Sequence, residues 1–230
     1  MSRGRTLILQ HHPAAPPGNF GDWARARGFD VEVLMAEERW DVPDLSPYAF
    51  VGSLGSAAHS YDDSVSWLAR ELDFLAAAHA TGTPVCGICF GSQTLARSLG
   101  AETRLNDELE VGWRDIELTG PAAVPTGPWF FWHEDRFAVP AGAQLLATTP
   151  LGPALYRTGK DWGIQFHPEV GAEALEDWIE FSGGALDADT LAGMRRNLQA
   201  EPDAARMRAW ALYDAFLADA VAPPAGAGGS

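Results

Sequence analysis

The sequence is poor in cysteine and in positive charge, and it contains no long apolar run. Cys86 and Cys89 are the only cysteines among the 230 residues, which is too few for a disulfide framework. The 16 lysine and arginine residues are outnumbered by 31 acidic ones, and the net charge of −15 disfavours contact with nucleic acid phosphates. No apolar stretch approaches the roughly 18 residues of a membrane-spanning helix. The N-terminal apolar segment TLIL is too short for a signal peptide, so we expect a cytoplasmic protein without nucleic acid or membrane partners.

Short apolar runs alternate with segments of helical periodicity along the first hundred residues. Near-continuous apolar strands that alternate with helices are typical of a parallel sheet covered on both faces. We therefore predict an α/β fold with a mostly parallel sheet. The predicted strands are 5–10, 30–35, 48–54 and 84–88, and the predicted helices are 16–28, 63–80 and 90–100.

The middle and the end of the chain differ from this pattern. Short strands with turns between them are predicted at 110–119, 129–139, 143–149, 152–158 and 161–167, as a β-rich extension of the same sheet. Three further helices are predicted at 171–182, 187–199 and 203–221. We predict one domain over 1–182, a C-terminal helical appendage packed on it over 183–222, and a disordered tail over 223–230.

The two cysteines are spaced as C-x-x-C, which raises the alternatives of a redox pair and a metal site. Cys86 falls within PVCGI, a buried-strand pattern, and on a strand a residue three positions away points to the opposite face. A structural zinc site would need further cysteine or histidine ligands at suitable spacing. We therefore interpret Cys86 as a buried structural thiol and consider Cys89 separately.

Cys89 lies between a predicted strand and a predicted helix, within the segment GICFG. A sharp strand-to-helix turn that carries a nucleophile needs small residues on both sides, and here Gly87 and Gly91 provide them. The helix N-terminus favours a thiolate, because the helix dipole places partial positive charge there. The backbone N–H of Phe90 is available to a developing oxyanion.

A cysteine nucleophile needs a base and usually an orienting group. His167 ends the strand pattern WGIQFH, and Glu169 follows two residues later, within reach of the same imidazole. Ligand sites of open α/β sheets lie at the carboxyl ends of the strands. Cys89 and His167 are both predicted there, so a Cys–His–Glu arrangement is the favoured hypothesis.

GICFGSQ followed by GIQFHPEV resembles the class I (triad-type) glutamine amidotransferases, whose hallmarks are a G-x-C-x-G-x-Q elbow and a distant F-H-P-E. Three further segments resemble the family: YAFVGSLGSAAHSYDD as its oxyanion strand and loop, LEVGW, and FFWHEDRF. The resemblance covers 48–170 and extends to 5–182, and it is nearest to stand-alone, GMP-synthase-like amidotransferase domains. It accords with a flavodoxin-like version of the predicted α/β fold, with the amidotransferase domain at 1–182.

Carried over residue by residue, the resemblance implies Cys89 as nucleophile, His167 as general base and acid, and Glu169 as the orienting carboxylate. The implied oxyanion donors are the backbone N–H groups of Phe90 and Ser53. The implied substrate-binding residues are Gln93, Gly52, His133, Asp135 and Trp113. The family pattern departs at GSLGS, which replaces a Gly-Gly-Pro-like loop, and at Glu134, which replaces a small residue. No metal or cofactor is implied.

The implied activity is hydrolysis of the γ-carboxamide of glutamine through a γ-glutamyl thioester, with release of ammonia and glutamate. We expect the ammonia to pass to a separate synthetase chain, because the motif segments occupy nearly the whole sequence. The alternative is a stand-alone hydrolase or transferase that acts on γ-glutamyl amides or peptides. A third alternative, a regulatory or binding module, is disfavoured by the intact Cys89, His167 and Glu169.

Overall fold

The computed structural model of the chain describes residues 3–38, 40, 44–184 and 186–221, which form ten strands and six helices. Residue 222 and the predicted tail 223–230 lie outside the described residues. Among the helices described, none is both long and apolar enough to cross a membrane. The elements are β1 (Arg5–Gln10), α1 (Gly18–Ala26), β2 (Asp30–Met35), β3 (Tyr48–Ser53), α2 (Leu68–Thr81), β4 (Val85–Ile88), α3 (Phe90–Ser98), β5 (Thr103–Arg114), β6 (Glu117–Leu118), β7 (Trp129–Phe137), β8 (Gln144–Thr149), β9 (Gly152–Thr158), β10 (Asp161–Ile164), α4 (Ala172–Phe181), α5 (Ala188–Ala200) and α6 (Pro202–Val221).

An eight-stranded sheet organises the molecule, in the order β2-β1-β3-β4-β10-β9-β8-β6. Its first five strands are parallel, and β9, β8 and β6 continue it in antiparallel fashion. This confirms the predicted α/β class with a mostly parallel sheet. Because β4 and β10 are adjacent and parallel, the segments that follow them emerge side by side at one edge of the sheet.

The prediction that all the middle strands extend the same sheet is wrong for β5 and β7. These two strands pair with each other as a separate antiparallel sheet, with Trp113 opposite Phe130 and Glu110 opposite His133. Phe130 and its aromatic neighbours pack against α4 and α5 instead of against the main sheet. One face of this hairpin thus has its own hydrophobic cluster, while Trp129 and Phe131 of β7 join the core of the main sheet.

Helices cover both faces of the main sheet, as predicted. Because side chains alternate along a strand, Ile8 and Phe50 point to the face covered by α1 and α6, while Leu7 and Val51 point to the face covered by α2 and α3. The C-terminal helix α6 contributes buried aromatic residues to the first of these cores. Those residues are Tyr213 and Phe216, which pack with Phe20, Trp23 and Phe50 of the sheet and of α1.

The clearest differences from the predicted boundaries concern α2, β5 and β10. Helix α2 begins at Leu68 and not at residue 63, because the carboxylate of Asp62 accepts the N–H of Ser64 at 2.9 Å and stabilises a turn there. Strand β5 begins at Thr103, seven residues before its predicted start. Strand β10 ends at Ile164, so His167 lies on the loop beyond the strand.

Candidate active site

Cys89 occupies a sharp turn between β4 and α3. Its backbone has φ 51° and ψ −110°, and it is the one residue other than glycine with positive φ in the described ranges. A non-glycine residue held in a sparsely populated region costs on the order of 1–3 kcal/mol and persists only where the surroundings impose it. The turn directs the side chain away from the sheet and places the N-terminus of α3 directly behind it. This is the strand–turn–helix geometry of a nucleophile elbow.

The two glycines that flank Cys89 are required by close backbone packing and not by positive φ. A Cβ on Gly87 would lie 2.4 Å from the carbonyl oxygen of Gly91. A Cβ on Gly91 would lie 2.1 Å from the carbonyl oxygen of Ser53 on strand β3. Both contacts are shorter than real Cβ atoms show, and backbone atoms cannot move aside as flexible side chains do. The glycines therefore allow β3, the elbow and α3 to approach each other.

We expect Gly91→Ala to lower the free energy of unfolding by about 3 kcal/mol or more, at the upper end of overpacking costs. The cause is the clash with the backbone of Ser53. Urea unfolding followed by circular dichroism measures the change. Gly120→Ala is the matched control, because a Cβ there meets nothing within 4 Å, and we expect it to change stability by no more than about 0.5 kcal/mol. Equal stability of the two variants would contradict the packing argument.

His167 reaches the elbow because β10 lies next to β4. The N–H of Cys89 donates to the carbonyl of Ile164 at 2.7 Å, and the N–H of His167 donates to the carbonyl of Phe130 at 2.7 Å. These bonds fix both ends of the segment that carries the imidazole. Glu169 completes the group, with its Oε1 2.7 Å from His167 Nδ1. The side chains of His167 and Glu169 are nearly inaccessible to solvent, and Cys89 is only 5% exposed.

The turn that carries Glu169 is held by the start of α1. The N–H of Asn19 donates to the carbonyl of Glu169 at 2.9 Å, and its side-chain amide donates to Val170 at 3.0 Å. Gly18 has φ 45°, and a Cβ on it would lie 2.2 Å from the carbonyl oxygen of Glu169. Sequence analysis did not identify Gly18 or Asn19, because nothing in the pattern of 16–28 connects that helix with a loop 150 residues away.

The electrostatics of the group favour a charged imidazole. Burial alone lowers the pKa of His167. The carboxylate of Glu169 raises it, and Cys89 raises it further through its charge and a hydrogen bond, so the pKa of His167 lies well above its ordinary value. The Nε2 atom of His167 is buried without a fully formed hydrogen bond, while Nδ1 is bound to Glu169. The second nitrogen is therefore the one available to Cys89 and to a bound ligand.

The loop after β3 lies against Cys89, but through Gly55 and not through Gly52 or Ser53. A Cβ on Gly55 would lie 3.1 Å from Cε1 of His167 and 3.8 Å from Cβ of Cys89. Gly52 faces the ring of Phe20, which a Cβ there would meet at 2.5 Å. The Ser53 hydroxyl donates to Glu71, away from the cysteine. The structure therefore places Gly55, the second glycine of GSLGS, next to Cys89 and His167.

A buried polar network supports this loop from behind. Glu71 of α2 is fully buried and accepts hydrogen bonds from the hydroxyls of Ser53 at 2.8 Å and Thr94 at 3.3 Å. Its other oxygen lies 2.7 Å from Nε2 of His11, which is also fully buried. The ring of His11 in turn packs edge-on against Phe90 of the elbow. One carboxylate thus connects the residue that follows β1 with β3 and α3.

The remaining predicted substrate contacts lie behind the site. Gln93 donates to the backbone carbonyl of Asp135 at 3.0 Å. Nδ1 of His133 donates to the same carbonyl at 2.8 Å, and its Nε2 lies 3.0 Å from Glu110. Trp113 donates to the carbonyl of Met194 on α5 at 2.9 Å. None of these three side chains, nor Asp135, borders the described part of the cavity over Cys89, so they position its walls.

A cavity of about 450 Å³ opens above Cys89 and His167. This volume lies within the range of about 300–1,000 Å³ that encloses small-molecule ligands. Its walls come from the loops after β1 and β3, from the β5–β7 hairpin, and from the end of α4 with the segment that follows it. The lining residues other than Cys89 and His167 are His12, Ala14, Ala15, Gly55, Ser56, Ala57, Leu109, Trp132, Glu134, Trp178, Phe181, Ser182 and Leu186.

Comparison with known proteins agrees with this geometry. The family model described as Glutamine amidotransferase class-I matches residues 24–182. The GMP synthase (glutamine-hydrolyzing) of Rhodopseudomonas palustris is 34% identical over 169 residues, which cover 66% of this chain and 30% of that protein. The corresponding enzyme of Vibrio vulnificus is 28% identical over 156 residues, covering 62% of this chain and 29% of that protein. The chain therefore spans about three tenths of the length of these curated relatives.

Solved structures match over nearly the whole chain. A glutamine amidotransferase from Thermotoga maritima has a TM-score of 0.85 at 25% identity, over 94% of this chain and 99% of that one. A glutamine amido transferase from Methylobacillus flagellatus has a TM-score of 0.84 at 21% identity, over 100% of this chain and 99% of that one. At its lower identity, the second match bears on the fold alone. Both matches extend past residue 182, so the helices α5 and α6 belong to an architecture that other chains share.

Proposed function

The chain belongs to the class-I glutamine amidotransferase family, and from this premise we propose that Cys89, His167 and Glu169 hydrolyse the carboxamide of a γ-glutamyl substrate, glutamine being the simplest, through a thioester. The observation that carries the proposal is the placement of His167 between the strained elbow cysteine and a buried carboxylate 2.7 Å away. A nucleophile, a base and an orienting group in this order satisfy the requirements of acyl transfer.

In the first half-reaction the Cys89 thiolate attacks the γ-carbonyl carbon, and the carbonyl oxygen becomes an oxyanion. Phe90 is the first residue of α3, so its N–H has no acceptor within the helix and is free to bind that oxyanion. The N–H of Leu54 is already used by Leu9, at 3.1 Å. We therefore assign the second donor to the N–H of Gly55, in place of Ser53.

The two halves of the reaction use the same imidazole in opposite directions. The protonated His167 gives its proton to the amide nitrogen as the C–N bond breaks, and ammonia leaves from glutamine. A water molecule then attacks the thioester while neutral His167 accepts its proton. The C–S bond breaks, glutamate is released, and the thiolate and the protonated imidazole of the starting state are restored. Glu169 keeps Nδ1 protonated throughout, which leaves Nε2 to transfer protons.

Where glutamine is the substrate, we further propose that the released ammonia is used by a separate synthetase chain. The curated relatives are named as glutamine-hydrolyzing GMP synthases, and this chain matches about three tenths of their length. In such an arrangement a second protein would bind where the cavity opens to solvent. The exposed Phe181 and Leu109 line the cavity and offer apolar surface where it opens.

The purified chain is expected to release glutamate from L-glutamine and to form a covalent adduct on Cys89 with a glutamine analogue that carries an electrophile at the γ position. Coupled glutamate detection measures the first result, and peptide mass spectrometry locates the second. Turnover that rises on addition of an ammonia-accepting synthetase would support the two-chain arrangement. Absence of both turnover and adduct would contradict the proposed chemistry.

A further inference from the structure

The cavity above Cys89 is larger and more apolar than the carboxamide of glutamine requires. Apolar side chains form most of its wall, and its 450 Å³ fall in the range that encloses drug-sized ligands. Ammonia, the leaving group from glutamine, needs almost none of this space. The volume that the glutamyl part leaves unfilled is therefore available to a group attached to the reacting amide.

Part of this apolar wall lies outside the residues that the family model matches. The match ends at residue 182, whereas Leu186 lines the cavity. Helix α5 then packs behind the wall, where Met194 contacts the cluster of Phe130 and Trp178 and its carbonyl binds Trp113. Ser182 and Leu186 thus complete one side of the substrate cavity, and α5 supports that side from behind.

The charge of the cavity restricts the ligand further. Glu134 is the one carboxylate among the described lining residues, and no lysine or arginine is found among them. The glutamyl part and its carboxylate are the same in every γ-glutamyl substrate. The charge of the cavity can therefore distinguish between substrates only through the group on the amide nitrogen. The charge of His167 is already paired with Glu169, so a second carboxylate on that group would be repelled by Glu134 with no lysine or arginine in the described lining to offset the repulsion.

We propose that the preferred substrate is a γ-glutamyl amide whose nitrogen carries an apolar group without a carboxylate, such as an arylalkyl or alkyl amine. The inference rests on the thioester chemistry proposed above and concerns only its leaving group. The C–N bond breaks as His167 protonates the nitrogen, so the neutral amine leaves in place of ammonia. Water then releases glutamate from the thioester, and no other reactant is required.

Three substrates test the proposal with the complete chain: γ-glutamyl-phenethylamide, γ-glutamyl-phenylalanine and L-glutamine. The first two differ by one carboxylate. We expect kcat/KM for the phenethylamide to exceed that for each of the others by about tenfold or more. Glutamine lacks the apolar group, and burial of an apolar group of this size changes kcat/KM by at least that factor. The phenylalanine substrate carries the additional carboxylate. Glutamate release measures all three reactions on the same scale. Glu134→Gln is expected to reduce the difference in kcat/KM between the phenethylamide and the phenylalanine substrate.

The matched variants are Leu109→Asn, in the cavity wall, and Leu105→Asn, four residues earlier on the same strand and away from the cavity. We expect only Leu109→Asn to reduce the ratio of kcat/KM for the phenethylamide to that for glutamine, by about tenfold. A glutamine rate equal to or above the phenethylamide rate would overturn the inference and leave the thioester chemistry standing. Equal rates for phenethylamide and phenylalanine substrates would overturn the charge argument and the proposed class with it. No hydrolysis of any of the three would overturn the proposed function as well.

Discussion

Replacement of Cys89 by alanine is expected to lower kcat/KM for any γ-glutamyl amide by about 10⁴–10⁶-fold, the scale seen when a covalent nucleophile is removed. Without the sulfur no thioester forms, and the remaining backbone donors and His167 can only assist direct attack by water. Stability should not fall, because alanine has the same backbone and Cβ as cysteine and is no more strained than cysteine at the elbow φ of 51°. Glutamate release and thermal unfolding, measured together, separate the two effects.

Cys86 provides the matched control for this variant, since it is the second free thiol of the chain and lies three residues earlier. It is fully buried in β4, and burial raises the pKa of its thiol far above the ordinary value. Cys86→Ala should therefore keep its activity and its labelling by iodoacetamide, while Cys89→Ala should lose both. Labelling of Cys86 in the folded protein, or activity within tenfold of wild type for Cys89→Ala, would contradict the assignment of the nucleophile.

The elbow could be predicted from sequence because its constraints are local. A strand, a turn and a helix follow one another within 84–100, and the glycines on either side of Cys89 are visible in the sequence itself. The structure adds the reason that those glycines are needed, namely the approach of Gly91 to the backbone of Ser53. The parallel sheet was predictable for a similar reason, since its strands are continuously apolar.

The residue of the loop after β3 that adjoins Cys89 could not be predicted, because a resemblance in sequence does not determine where a strand ends. Leu54 still bonds to Leu9 of β1, so the first loop N–H beyond the sheet belongs to Gly55. The pairing of β5 with β7 was equally hidden, since an alternating strand pattern does not say which strand is its neighbour. Both features depend on hydrogen bonds between segments that are distant in sequence.

The buried support of the site was missed for a related reason. In the sequence Glu71 looks like one of several charged residues of an amphipathic helix. In the structure it is fully buried and bound by Ser53, Thr94 and His11, which come from three other elements. No spacing rule connects these four residues. The burial of such a carboxylate can therefore be recognised only when the tertiary contacts are known.

Glu169→Gln is expected to lower kcat by about 10⁴-fold while the fold is kept, by analogy with an orienting carboxylate replaced by its amide. The amide can present its NH₂ to Nδ1 of His167, which moves the imidazole proton to Nε2. That tautomer cannot accept a proton from Cys89 or from water. The exposed Glu173→Gln, four residues later on α4, is the matched control and should retain full activity.

The same variant should also change the titration of His167. Burial lowers the pKa of this imidazole, and Glu169 is the foremost group that raises it, so the pKa should fall when the carboxylate is neutralised. In the wild type the raised pKa contributes stability that is fully present below the unfolded value of about 6.5 and is lost as the pH rises through the folded pKa. The difference in unfolding free energy between wild type and Glu169→Gln should accordingly shrink as the pH rises from about 6.5 to the folded pKa of His167. Histidine NMR titration and urea unfolding at several pH values measure both effects, and a higher His167 pKa in the variant would refute the role assigned to Glu169.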